Sequence, residues 1–252
     1  VEGAALYRLL AWLSPGFPIG AFSYSHGLEA AIAAGTVHDQ TSLQGWIGAI
    51  IGLGSGRIDA DVLRDAHRAA IAGDIEALRT INRRGLAFRA TAELALEATA
   101  QGEAFLAICR AAWPDPFLDR WAAPRPAHPL PNPSPPAGEG REGAEPTQPW
   151  TGEGTCHAAA VGAATARAGI PLGDSLVGYL HAMAANLVSA GLRLGVIGQT
   201  DGQRILAALE PVVAEAAAQA IARDETDFGA VTFAVDLASM AHETQYSRLF
   251  RS

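Results

Sequence analysis

Apolar residues in this chain return at intervals of three and four, segment after segment, and no run of sustained alternation at interval two is found. Such spacing lines one face of an α-helix and does not suit a half-buried strand. Leu6, Leu9, Leu10 and Leu13 define a short first helix that stops before Pro15. Leu43, Trp46, Ile47, Ile50 and Ile51 mark a second stripe, with Thr41 or Ser42 as its cap. Val62, Ala66 and Ala69 predict a helix over 59–72. Leu78, Ile81 and Leu86 predict one over 75–87 capped by Asp74, and Leu94, Phe105, Leu106 and Ile108 one over 91–112. Further helices are expected over 156–168, over a long stretch beginning at Asp174 or Ser175, over 202–222 as one piece or two around Pro211, and over 237–249 behind Asp236. No Asn-Gly or Asp-Gly hairpin joins β-branched runs. The expected fold is all-α, a single-domain α-helical bundle spanning 1–252.

One stretch departs from this pattern. Prolines recur at 124, 126, 129, 131, 133, 135, 136, 146 and 149, with glycine and glutamate between them. Residues 124–154 have no apolar face to bury, so a disordered Pro/Gly-rich insertion is expected. A proline-rich docking motif is the alternative reading of the same residues.

Composition excludes several kinds of chemistry. All 18 basic residues are arginine, so there is no lysine for a phosphate-binding P-loop or a Schiff base. A net charge of −8 argues against nucleic-acid binding. Cys109 and Cys156 form neither a Cys-x-x-Cys pair nor a disulfide framework, which points to a reducing cytoplasm. The start of the chain has no basic region followed by a long apolar run, so no secretion signal is expected. The most apolar long segment, 172–197, carries Asp174, His181, Asn186 and Arg193, which favours a central buried helix over a membrane span.

The last residues are unusual. Chain ends are commonly small, polar and frayed, yet Tyr246, Leu249 and Phe250 stand here beside Arg248 and Arg251. His242-Glu243 invites comparison with a His-Glu-x-x-His zinc motif, but Tyr246 occupies the place of the second histidine. Asp61 and Asp65 share a helix face and are read as solvated, and Cys156-His157 lacks further metal ligands. Gly52-Leu53-Gly54-Ser55-Gly56 lacks dinucleotide-binding spacing and reads as a loop. No catalytic, metal or cofactor residue is therefore assigned. Near the start, Ser14-Pro15-Gly16-Phe17-Pro18-Ile19-Gly20 forms an ordered apolar turn, and a helix is expected over 22–34 with Tyr24, Gly27 and Leu28 on one face. Gly27 costs about 1 kcal/mol in a helix interior, which a close packing contact would justify.

Three segments together resemble the UreF family of urease accessory proteins. They are Leu13-Ser14-Pro15-Gly16-Phe17-Pro18-Ile19-Gly20-Ala21-Phe22-Ser23-Tyr24-Ser25-His26-Gly27-Leu28-Glu29, then Gly198-Gln199-Thr200-Asp201-Gly202-Gln203-Arg204, then Ser239-Met240-Ala241-His242-Glu243-Thr244-Gln245-Tyr246-Ser247-Arg248-Leu249-Phe250-Arg251-Ser252. The resemblance implies an all-helical protein that is not an enzyme and that commonly dimerises. It also implies assembly with UreD (UreH in some organisms), the GTPase UreG and apo-urease, for GTP-dependent nickel insertion. Partner-binding residues are then expected at Phe22, Ser23, Tyr24, Gly27, Leu28 and Glu29, and at His242, Glu243, Tyr246, Arg248, Leu249, Phe250 and Arg251. The tail is expected to order on UreD, burying Leu249 and Phe250, with 22–29 packed beside it and helping to form the UreG-facing surface. Family sequences usually carry a longer polar residue at Ala241, and an arginine or similar group soon after Glu93, where this chain reads Glu93-Leu94-Ala95-Leu96. Two readings compete with the family one: a helical metal-dependent hydrolase built on Asp61 with Asp65 or His242 with Glu243, and a general helical interaction module.

Overall fold

A computed structural model describes residues 3–123 and 154–252. The insertion expected at 124–154 lies, but for Gly154, outside the described residues. The elements in chain order are α1 (Gly3–Trp12), a short 3-10 turn (Ala21–Ser23), α2 (Leu28–Ala33), α3 (Gln40–Leu53), α4 (Ser55–Ala72), α5 (Ile75–Ala87) and α6 (Ala92–Ala112). Then follow α7 (Pro116–Ala122), α8 (His157–Arg167), α9 (Leu172–Arg193), α10 (Gln199–Ala222) and α11 (Phe233–Glu243). The fold is all-α, with no strand among the described residues.

Local chemistry sets the boundaries. Asp74 accepts the Ala77 amide at 2.9 Å, as the sequence predicts, and Thr91, expected as the first residue of its helix, caps it by accepting the Leu94 amide at 3.2 Å. The cap of α3 is Asp39, ahead of the expected Thr41 or Ser42: it accepts the Ser42 amide at 2.8 Å while Ser42 Oγ accepts the Asp39 amide at 3.1 Å. The glycine-rich 52–56 stretch is not a loop, since α3 runs to Leu53 and α4 begins at Ser55. Pro211 does not split α10. Both Pro211 and Ala207, whose carbonyl loses its partner, face solvent, where water can replace the missing bond.

The central helix is α4 rather than the long apolar α9. Helices α3, α5, α8, α9 and α10 all pack against α4. Its closest neighbour, α8, is buried from Ala158 to Thr165, and alanine and glycine make up most of that stretch. A Cβ on Gly162 would come within 2.4 Å of the Leu63 carbonyl oxygen, so glycine permits that approach. Helices α9 and α10 are long and apolar enough to cross a membrane by length and composition alone. In the fold their stripes face each other and the core, and α10 turns Gln203, Arg204, Glu210 and Glu215 outward.

The carboxylates of α4 correct the expectation of a solvated face. Asp59, Asp61, Arg64, Asp65 and His67 are all buried. Arg64 donates to Asp61 at 3.2 Å and Asp65 at 2.7 Å, and to the carbonyls of Ala220 at 2.6 Å and Arg223 at 3.2 Å, where α10 ends. Arg223 adds a 2.7 Å bond to Asp61, and Arg84 pairs with Asp65. A guanidinium presents five donors in a fixed fork, so it can neutralise two carboxylates and cap a helix end together. Burial nonetheless pushes the Asp61 carboxyl up despite Arg223 and Arg64 beside it.

An aromatic group fixes the apolar turn. Phe17 packs on Phe105 with centroids 5.3 Å apart, and Trp12 meets Phe105 edge-on at 6.1 Å. These contacts hold residues 14–29 against α6 and α9.

Candidate functional site

Residues 20–29 are not the continuous helix expected over 22–34. Gly20, His26 and Gly27 have φ of 73°, 53° and 72°, in the left-handed region, and Tyr24 is extended. Two consecutive left-handed residues cannot continue a right-handed helix. Helix α2 therefore starts only at Leu28, with Gly27 as its N-terminal flank. Gly27 also lies against α11: a Cβ there would sit 2.7 Å from the Ser239 nitrogen. The expected close contact exists, at a helix start rather than inside a helix. The interruption frees main-chain groups of Ser23 and Ser25 for bonding elsewhere.

Helix α11 ends at Glu243, shorter than the expected 237–249. Val235, Ser239 and His242 face inward, while Phe233, Leu237 and Met240 form an outward apolar stripe at i, i+4 and i+7. After Glu243 the chain turns back across the 20–29 segment. The Ser252 main-chain oxygen accepts the Ser25 amide at 2.9 Å and also the Ser25 hydroxyl. The Arg251 amide donates to the Ser23 carbonyl at 2.8 Å. Glu29 accepts the amides of Leu249 at 2.8 Å and Phe250 at 2.9 Å, so one buried carboxylate grips two successive peptides.

Side chains complete the clasp. Buried His242 has Glu29 Oε2 3.2 Å from Nε2 and Glu93 Oε2 2.7 Å from Nδ1. Arg248 pairs with the other oxygen of Glu93. Glu243 accepts the amides of Ala92 at 2.9 Å and Glu93 at 3.3 Å, capping α6 from another helix. The hydroxyls of Thr91 and Ser239 lie 2.9 Å apart. Glu97 Oε2 accepts the Ser252 hydroxyl at 2.9 Å and lies 2.9 Å from His26 Nδ1. The Arg193 guanidinium stacks 4.3 Å from the Phe250 ring centroid and donates to the Phe22 carbonyl.

Burial pushes Glu29 up, but the Leu249 and Phe250 amides and the His242 ring outweigh it and hold its carboxyl below the usual value. Burial pushes His26 down, yet Glu97 beside it outweighs that and raises it.

The two sequence-predicted groups thus come together. Ser23, Gly27, Glu29, His242, Glu243, Arg248, Phe250 and the Arg251 backbone meet in one clasp. Tyr24 and Leu28 are core residues beneath it. Phe22, Tyr246, Leu249 and Arg251 are exposed around it. Phe250 is already buried without any partner, so the expectation that it becomes covered only on a partner is corrected. Sequence reasoning missed Ser25, His26, Glu93, Glu97, Arg193, Ser239 and Ser252. Ser25, His26, Ser239 and Ser252 stood inside the quoted segments, whereas nothing in the sequence marks Glu97.

The competing chemical readings find other partners in place. Asp61 and Asp65 are occupied by guanidinium groups, and His242 and Glu243 by the clasp. Cys156 Sγ is contacted by Arg89 at 3.2 Å, and burial pushes its thiol up. Among the described residues no three His, Cys, Asp or Glu side chains gather as metal ligands. The arrangement immobilises backbone and displays apolar side chains around it.

The profile of the UreF family matches residues 37–210 of the chain. A urease accessory protein UreF of Rhodopseudomonas palustris (strain BisB18) is 45% identical over 251 residues, covering 100% of this chain and 93% of the relative. One from Bradyrhizobium sp. (strain BTAi1) is 46% identical over 252 residues, covering 100% and 94% respectively. One from Rhodopseudomonas palustris (strain HaA2) is 44% identical over 256 residues, covering 100% and 95%. The profile stops short of the clasp, but the aligned relatives extend across it.

Proposed function

The chain belongs to the UreF family of urease accessory proteins, and from that premise we propose that it acts as a non-enzymatic component of the machinery that inserts nickel into apo-urease. In this reading it bridges UreD (UreH) to the GTPase UreG on apo-urease and tunes GTP-dependent metallocentre assembly. It does so in the cytoplasm, as a homodimer, with nickel as cargo. The missing lysine fits a division of labour in which UreG supplies the nucleotide chemistry.

One observation carries this reading: the clasp fixes the backbone while leaving large apolar groups in water. Phe22 is 67% exposed, Leu249 63% and Tyr246 fully exposed, and Phe233 and Leu237 of α11 stand outward as well. Apolar groups on an already ordered backbone lose less freedom on binding than those on a disordered tail. Ala241, where the chain departs from usual family wording, is also exposed, as is Leu96 at the end of the departing stretch 93–96. The UreD-binding face is assigned to Phe22, Tyr246 and Leu249, with Ser23, Tyr24, Gly27, Leu28, Glu29, His242, Glu243 and Phe250 shaping it.

The test is co-purification of the chain with UreD and UreG after the double substitution Tyr246→Ala and Leu249→Ala. UreD is expected to be lost while the helical circular dichroism is unchanged. Retention of UreD at the wild-type level overturns the assignment. Of the two tail arginines, Arg248 pairs with Glu93 whereas Arg251 is exposed, which supports proposing Arg251 for the contact with UreG. GTP turnover in the complex is expected to fall with Arg251→Ala, and unchanged turnover would remove that role.

A further inference from the structure

A cavity of about 470 Å³ lies beneath the 14–20 turn, between α6 and α9. Trp12, Phe17, Leu94, Met183 and Leu187 contribute apolar walls. Asp59, Arg89, Glu97, Gln101 and Tyr179 contribute a polar end. Its size falls within the roughly 300–1,000 Å³ range of small-molecule sites and is about three times that of an engineered 150 Å³ void that takes up benzene. Water is a poor filling for the apolar walls, because each buried water needs about two to four polar partners.

We propose that this cavity binds a small uncharged molecule with an aromatic or branched apolar body and one hydroxyl or amide group. The polar end selects for neutrality. Arg89 donates to Asp59 at 2.6 Å, Tyr179 donates to Asp59 at 2.9 Å, and His26 lies 2.9 Å from Glu97. Arg89 and Asp59 offset each other, and both Glu97 oxygens are already engaged, Oε1 by the Gln101 amide and Oε2 by the Ser252 hydroxyl. An ionised ligand would leave its water shell for a surface whose charged groups are already occupied. A hydroxyl or amide both donates and accepts, which suits an end offering guanidinium and amide donors beside carboxylate acceptors. The apolar body lies along the Phe17 and Met183 walls.

The probe is 2-naphthol, titrated calorimetrically into the full chain at neutral pH, with 2-naphthoate as the charged counterpart. Saturable binding of one naphthol per chain is expected, at least tenfold tighter than naphthoate. Ala98→Trp and Met183→Trp, each on the wall, are expected to weaken naphthol binding at least tenfold. In the unsubstituted chain, proton-proton contacts by NMR are expected between the naphthol ring and the methyl groups of Met183, Leu187 and Leu94, a readout independent of how any variant folds. Absence of saturable binding, equal affinity for naphthoate, or NMR contacts confined to exposed side chains such as Leu237 and Tyr246 would each overturn the proposal.

Discussion

The Glu29 carboxylate accepts the amide proton of Phe250 at 2.9 Å across 221 positions of sequence. The same side chain holds the Leu249 amide, so a single residue of α2 sets the path of the tail. Bonds from amides to a carboxylate are worth about 1.5–3 kcal/mol each, more than neutral ones. Glu29→Gln keeps the shape but removes the charge. Hydrogen exchange at Leu249 and Phe250 is expected to speed up by about tenfold or more, with the helical signal retained. Unchanged protection would mean that Glu29 does not hold the tail.

Acid is expected to release the same contact. The carboxyl of Glu29 sits below its ordinary value of 4.5 in the folded chain. Its contribution is therefore complete above pH 4.5 and disappears as pH falls through the lowered native value. Tail amide protection in the native chain should fall over that acidic window, and in the Glu29→Gln variant it should lose this dependence.

His157 should contribute its own pH dependence in a higher range. Burial lowers its ring from 6.5 to about 4. The unfolded chain takes up this proton first, so stability is highest above pH 6.5 and declines as pH falls towards 4, by up to about 3 kcal/mol. Urea unfolding at stepped pH measures the decline, and His157→Phe should flatten that part of the profile.

Removal of Arg64 should be among the costliest single changes. It would leave the buried Asp61 and Asp65 short of their shared counter-charge, with an expected loss of about 3–5 kcal/mol for Arg64→Ala. Arg64→Lys should recover only part of this, because one ammonium cannot reach both carboxylates and the end of α10 together. Chemical denaturation distinguishes the two variants.

Gly27→Ala tests the join between α2 and α11. A left-handed conformation costs a non-glycine residue about 1–2 kcal/mol, and the new methyl would also press on Ser239. An overall loss of about 2 kcal/mol or more is expected, with faster hydrogen exchange in α11. A neutral substitution would mean that α11 tolerates displacement at this contact.

Helices were legible wherever local patterning and packing agreed. Asp74 caps as its sequence position suggests, and the Leu43–Ile51 stripe is buried as its spacing requires. The apolar resumption after Phe22 masked the break at His26 and Gly27, where distant Ser239 packs against Gly27 and distant Ser252 accepts the Ser25 amide. Asp61 and Asp65 looked solvated although Arg64 stands beside them, because nothing local shows that Arg84 and Arg223 will close over the same carboxylates, and Arg223 is 162 positions away. Residues of the clasp could be nominated from their unusual wording near an end. Their joint geometry depends on contacts that no window of sequence contains.

Residues 23–29 and 91–97 leave the ribosome long before residues 242–252 exist to meet them. During that interval Glu29, Glu93 and Glu97 lack their partners, and the apolar groups arranged by the clasp have no fixed positions. A chain stopped short of the tail would therefore fold most of its helices yet lack the ordered face. Display of that face depends on residues 242–252 being in place, so a partner reading it would discriminate chains that carry them from chains that do not.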